Sequence, residues 1–451
     1  MGDSAGSELE HRVAPHVRRL RSRALRDRLA ESLLFIPGLM LAASVALAMV
    51  LGHIDAHHVG LLSEWVTFTP DVAVTLLGII AGAMITTAGV VFSLLVVSLQ
   101  LASGQFSPRV LRGFWRDRPG QVLVGLLLST FAFCVLALAR VDTSATVAPT
   151  LTVGCALLLT LASVLAIVVY LDRISRQQYV GRIMERVARE TTSLIAELPY
   201  GPRIGVKVGE PVEPPDVAAL GPGLAVPAVH DGWVQQLSRR ALVAAAPPGS
   251  VVRLDTRVGA YLVAGTPMVT IWPAPADPAT SARLVCDAVI VGVARTMQQD
   301  IDFGLRQLSD IGLRALSAAV NDPTTAIEVI LRMASVLRPL MLAETPARAV
   351  RDGQGRTLLT PHELGHADYV EHAFHQLRTY AAPHPSVVVP LVRSMRMLRT
   401  ACTDPARGPL TPDRAATVAA LDQQLALTVA AVRRAGPLPE ELAAIEAIAA
   451  G

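Results

Sequence analysis

The sequence predicts an α-helical membrane protein: four transmembrane helices, then a cytoplasmic C-terminal region made of a small β-rich module and an α-helical bundle. Three observations predict it. The 451 residues are 52% hydrophobic and only 17% charged, with a mean hydropathy of +0.45, which is unusual for a soluble globular chain. The apolar residues concentrate before residue 172, in four runs near 33–52, 73–102, 121–139 and 150–171. Each run is close to or above the ~20 residues that a spanning helix needs. Finally, arginines alternate from one side of these runs to the other.

Arg18, Arg19, Arg21, Arg23, Arg26 and Arg28 precede the first run. Arg109, Arg112, Arg116 and Arg118 lie between the second and third, and Arg173, Arg176 and Arg182 follow the fourth. The first opposite loop, HIDAHHVGLLSEWVTFTPD, has no Lys or Arg, and the second has only Arg140. Positive charge stays on the cytoplasmic side. Both termini and the C-terminal region are therefore expected in the cytoplasm, in a multi-pass protein of a bacterial plasma membrane in contact with its lipids. The first 30 residues form a basic segment before a membrane domain at 31–171, with no cleavable signal expected. His53, His57 and His58 sit near Asp55 in the first outer loop; they suit a metal or a pH sensor, or simply a polar loop.

The second run holds the main puzzle. Thr75, Gly78, Gly82, Thr86, Gly89, Ser93, Gln100 and Gly104 form one stripe along a helix, because they advance by three or four residues with one step of seven. Gly78 and Gly82 make a GxxxG, a pattern that lets helices approach closely in lipid. The same stripe suits a pore, with one such helix from each copy lining an axis and Arg109 at the cytoplasmic mouth. No Asp, Glu, Lys or Arg interrupts the spans, which argues against a proton-coupled transporter. The expected function is a homo-oligomeric channel-like or transport protein; the alternative is a non-conducting, membrane-anchored scaffold or sensor with an unknown soluble partner.

Residues 172–200 read as an amphipathic connector helix, with Ile174, Ile183, Met184, Val187 and Leu194 on one side. Residues 201–280 begin with a Pro/Gly-rich stretch and continue as short β-prone runs with a short helix near 238–246. The Gly259…Gly265-Thr266-Pro267 pattern resembles half of a lipoyl-like sandwich, but no lysine stands at a turn tip, so a covalent carrier is not expected. From 281 to 451 the chain is expected to be helical, with RDGQGR marking a hairpin or loop. Asp322 suits an N-cap and Pro323 the first helical position, with further helices near 361–381, 386–403 and 411–449, the last broken at Gly436–Pro437. Asp300, Asp302, Asp310 and Asp322, with Arg306 and Arg314, form either a polar site or an ion-paired surface.

The formal charge of +3 gives no reason to expect nucleic acid, and Lys207 is the only lysine. Cys134, Cys155, Cys286 and Cys402 have no redox or zinc spacing and read as free thiols. His362-Glu363-Leu364-Gly365-His366 matches HExxH, in which two histidines on one helical face hold zinc and the glutamate activates water. His372 falls near the place of a third ligand, but Tyr369 stands where the longer pattern needs Gly. The motif is read as coincidental: no catalysis and no cofactor are expected, with zinc at His362 and His366 as the alternative.

The stretches FSLLVVSLQLASGQFSPRVLRGFWRD, DFGLRQLSDIGLRALSAAVNDPTTAIEVI and AFHQLRTYAAPHPSVVV together resemble an uncharacterised bacterial family of predicted membrane proteins, domain of unknown function twenty-two fifty-four. The likeness runs from about residue 15 to 435. It implies a multi-pass membrane protein with a cytoplasmic tail and supplies no reaction. The matching helix in that family usually lacks HExxH, which weakens the protease reading further.

Overall fold

The computed structural model describes residues 35–57, 68–105, 118–145, 147–177, 180–197 and 209–451, with Pro15, Val17, Arg18 and Ser22 before them. It divides into two compact units, residues 25–179 and residues 1–24 with 180–451.

The first unit holds four long helices: α1 (Phe35–His57), α2 (Pro70–Gln105), α3 (Arg118–Leu138) and α4 (Thr150–Gln177). Their apolar content explains them, since a helix satisfies every backbone group internally and can enter lipid. The third helix is the centre of the unit: α1, α2 and α4 all pack on it. Leu77, Leu123, Leu127 and Phe133 are fully buried around it. Large apolar side chains such as Leu39, Ile79, Phe92, Leu158, Leu161 and Leu165 remain exposed, as lipid-facing residues should. Close approach of α1 to α3 needs Gly125, where a Cβ would come within 2.7 Å of Met40 Sδ and 3.1 Å of Pro37 Cα.

Several polar groups inside this unit find partners, which the lack of water in a bilayer favours. The Ser44 hydroxyl donates to the Ser129 carbonyl at 2.6 Å, and Thr130 and Ser163 hydroxyls lie 3.2 Å apart. Arg140 Nη1 donates to the Ala48 carbonyl at 3.1 Å.

In the second unit, α5 (Val180–Glu197) turns Ile183, Met184, Val187, Thr191 and Leu194 inward. The β-rich layer contains β1 (Glu210–Pro211), β2 (Leu224–Pro227), β3 (Gly232–Leu237), α6 (Arg239–Ala244), β4 (Val251–Leu254), β5 (Tyr261–Leu262), β6 (Pro267–Trp272), α7 (Pro278–Asp287) and β7 (Val289–Gly292). The bundle follows with α8 (Ile301–Ala315), α9 (Pro323–Leu342), β8 (Ala349–Arg351), β9 (Thr357–Leu359), α10 (His366–Ala381), α11 (Pro385–Thr403), α12 (Pro412–Ala435) and α13 (Pro439–Ala450).

The strands form a six-stranded sheet, β1-β8-β9-β4-β6-β2, and a three-stranded sheet, β5-β3-β7. All pairings are antiparallel except β4 with β9, where Val251 lies opposite Thr357 and Arg253 opposite Leu359. Beyond residue 281 the chain is helical except for β7 and for a ribbon at RDGQGR, the stretch that its sequence marks as a hairpin or loop. The RDGQGR turn joins β8 to β9, and this ribbon completes a sheet begun a hundred residues earlier. Val226, Val252, Leu254 and Ile271 fill the core beneath it.

Asp322 caps α9 by accepting from the Thr325 amide at 3.1 Å, with Pro323 at the first position, as its sequence predicts. Asp277 and Asp300 cap α7 and α8 in the same way. Helix α5 packs on α8 and α9, while α12 packs among α10, α11 and α13. Among the described residues five helices are long and apolar enough to cross a membrane: the four of the first unit and α12. The sequence reading had not singled out α12, whose high alanine content raises its hydropathy although Asp422 and Arg399 pair on its surface. The four cysteines are free.

Candidate functional site

The second long helix is a 36-residue rod, ~54 Å at 1.5 Å per residue. It has two unlike faces. Ala73, Leu77, Ile80, Ala81, Met84, Ala88 and Val91 are buried against the rest of the unit. Thr75, Gly78, Gly82, Thr86, Gly89, Ser93 and Gln100 are all exposed. At ~100° per residue the two sets lie roughly 160° apart. The small and polar stripe therefore faces away from the other helices of its own unit. Gly78, Gly82 and Gly89 have nothing within 4 Å of where a Cβ would stand, so the GxxxG does not serve packing within the described unit.

The stripe's hydroxyls are satisfied by their own helix. Thr75 donates to the Asp71 carbonyl at 2.8 Å, Thr86 to Gly82 at 2.8 Å and Ser93 to Gly89 at 3.0 Å. Gln100 falls beyond the apolar segment Pro70–Ser98, so its amide is not obliged to sit in hydrocarbon. Gly104 belongs to the last turn of the helix, and Arg109 lies outside the described residues.

Near the end of α1, Asp55 serves another helix instead of gathering with histidines. Its carboxylate accepts from the Leu151 amide at 3.2 Å, the Thr152 amide at 2.9 Å and the Thr152 hydroxyl at 2.6 Å. His53 is exposed; His58 and the side chain of His57 lie outside the described residues. No metal-ligating group of three or more His, Cys, Asp or Glu occurs among the described residues.

The HExxH residues do not share one helix, which corrects the predicted start near 361. Helix α10 begins at His366, with Gly365 as its N-cap and Asp368 accepting from the Gly365 amide at 2.7 Å. His362 is exposed in the preceding turn, and Glu363 is ion-paired with Arg239 at 2.8 Å. His366 is buried, with Nδ1 3.5 Å from the Thr345 hydroxyl; burial pushes its pKa down. The four-residue spacing, which on one helix would align both imidazoles, here straddles a helix boundary.

The four acids also separate. Asp322 is a cap, while Asp310 stands two turns along α8 from Asp302 and Arg306 donates to Gln376 at 2.7 Å. Asp300 and Asp302 do come together, around a residue that the sequence reading missed. Arg295 donates to Asp300 Oδ1 at 2.7 Å and to Asp302 Oδ2 at 2.9 Å, and its guanidinium lies 5.8 Å from the Trp233 ring centre and 5.3 Å from that of Phe303. His372 Nδ1 meets Asp302 Oδ1 at 2.7 Å. Asp302 is 8% exposed and His372 34%, so the pair runs from the interior to the surface. Burial would raise the Asp302 pKa, but the bonds from His372 and Arg295 outweigh it and hold the carboxyl well below the usual range. Gly259, at φ +80°, lets the turn before β5 close on this group: a Cβ there would stand 2.8 Å from the Arg295 guanidinium. The segment VARTMQQD has no periodicity to flag Arg295. Its glutamines lace it to β3, with Gln299 accepting from the Leu237 amide at 3.0 Å.

Comparison with known proteins agrees with this membrane architecture. A family model described as "Predicted membrane protein (DUF2254)" matches residues 30–397. Uncharacterised proteins of Mycobacterium bovis and Mycobacterium tuberculosis are each 33% identical to this chain over 426 residues, covering 92% of it and 78% of theirs. No solved structure matches the chain.

Proposed function

The chain belongs to that family of membrane proteins, and on that premise we propose that it is a homo-oligomeric, channel-like protein of the bacterial plasma membrane, with α2 lining the axis. The observation that carries the reading is the exposed stripe. Thr75, Gly78, Gly82, Thr86, Gly89 and Ser93 face away from their own unit, opposite its buried face. Lipid rewards neither glycine pits nor polar side chains, whereas copies meeting around an axis would cover the glycines and turn the hydroxyls toward a path. In this reading α1–α4 are the spans and α12 stays in the cytoplasmic bundle, since its surface carries Arg433 and Arg434 as well as the Asp422–Arg399 pair. The arginine asymmetry supports both termini inside. The reading invokes neither catalysis nor a cofactor; Glu363, engaged by Arg239, supports that choice.

A second reading, a non-conducting scaffold or sensor, draws on one observation. The stripe's hydroxyls already bond to their own backbone, so they need no water. Single cysteines at Ser93, in a background lacking the four native thiols, decide between assembly and isolation. Crosslinked ladders ending at a fixed ring size, followed by ion flux through liposomes, support the channel. Ladders without flux support the scaffold, and a monomer without crosslinks removes the axis altogether.

A further inference from the structure

We propose that a cleft in the β-rich layer binds a small phosphate-bearing molecule. The cleft measures about 480 Å³ and opens between the loop after β4, the start of β6 and the turn that carries His362. That size lies within the range of ~300–1,000 Å³ usual for small-molecule sites. Arg253, Arg257 and His362 line it, together with one carboxylate, Asp255.

The carboxylate is already engaged. Asp255 Oδ1 accepts from Arg253 Nε at 2.5 Å, and Oδ2 accepts from the Thr270 hydroxyl at 2.5 Å. Arg253 is further held over the Trp272 ring, 4.9 Å from its centre. Arg257 is situated differently. Its Nη1 donates to the Val258 carbonyl at 3.1 Å, and among the described residues no carboxylate pairs with it. A guanidinium has five donors in a rigid fork, so most of this one is open to an oxyanion in the cleft. His362, the exposed half of the HExxH spacing, adds a ring nitrogen from a separate segment. A carboxylate is matched by one fork; the three terminal oxygens of a phosphate suit donors arriving from several sides. Tyr261, exposed and held edge-on to Trp233 with ring centres 5.2 Å apart, offers an aromatic wall for a planar organic portion.

The proposal stands whether or not the membrane unit conducts. Its test is calorimetric titration of the full-length protein in detergent with inorganic phosphate and, separately, adenosine monophosphate. Saturable binding by the unaltered protein, weakened about tenfold or more in Arg257→Gln and retained in Arg306→Gln, supports the site. Tighter binding of the nucleotide than of phosphate, lost in Tyr261→Ala, assigns an organic phosphate; equal binding assigns the free ion. Absence of saturable binding to either probe, or an Arg257→Gln protein that unfolds like the parent and binds equally well, overturns it.

Discussion

The Asp55 carboxylate, at the end of one long helix, caps another by accepting from the Thr152 amide at 2.9 Å and its hydroxyl at 2.6 Å. Pro149 stands just before α4 and has no side-chain acceptor for the first amides of that helix. A residue nearly a hundred positions earlier supplies one. Asp55→Ala is expected to destabilise the four-helix unit by about 1–2 kcal/mol, the range for losing a cap. A lower unfolding temperature in detergent checks it, with Asp142→Ala, on an exposed turn, as the neutral comparison.

Gly304 sits at a close helix crossing in the C-terminal unit. A Cβ there would overlap the Thr191 hydroxyl on α5. Gly304→Ala should therefore cost about 1–3 kcal/mol despite the better helix propensity of alanine. Adding Thr191→Ala, which removes the obstructing atoms, should recover part of the loss in a thermal unfolding series.

Asp302 predicts an acid limit. Its folded-state pKa is depressed, so its contribution is complete above the unfolded value of about 4 and disappears as the pH falls through the lower folded value. Asp302→Asn should lower stability by about 1–3 kcal/mol at neutral pH, because it weakens the bonds to Arg295 and His372 while Asp300 still pairs with Arg295. It should also flatten the fall in unfolding temperature below pH 4. A parallel pH series for both proteins is the measurement.

Bulk on the stripe should disturb assembly and bulk elsewhere should not. Gly89→Leu is expected to reduce the oligomeric fraction in mild detergent, whereas Leu94→Phe, exposed on a different side of α2, should leave it intact. Native mass or crosslinking of purified protein reads the difference. Equal effects would count against a stripe-centred assembly.

The long helices were legible because hydropathy is a local property. The second run, read as 73–102, extends over Pro70–Gln105. The start of α9 was legible for a similar reason, since Asp322-Pro323-Thr324-Thr325 carries its own cap and first turn. What escaped was non-local. Nothing near Arg295 announces that it will pair with Asp302, or that Asp302 will in turn meet His372, seventy residues further on, through the fold. The helix start expected near 361 was misplaced for a different reason: Pro361 suits a first helical position, yet Gly365 starts the helix after Glu363, so the HExxH spacing, read as coincidental, spans a helix boundary. The direction of the stripe was likewise hidden, for periodicity identifies two faces of α2 without saying which one the neighbours take.

The parallel pairing of β4 with β9 has a consequence for biosynthesis. Val251 leaves the ribosome long before Thr357, its neighbour in the sheet, has been translated. At about 5–20 residues per second that interval is roughly five to twenty seconds. During it, one edge of β4 has no native neighbour, with α6 and α8 already emerging and β6 available only on the other side. A nascent chain stalled in this window would be a natural client for chaperones. Residues 201–280, expressed as an isolated block, would carry that unfinished edge permanently and be prone to sticky self-association.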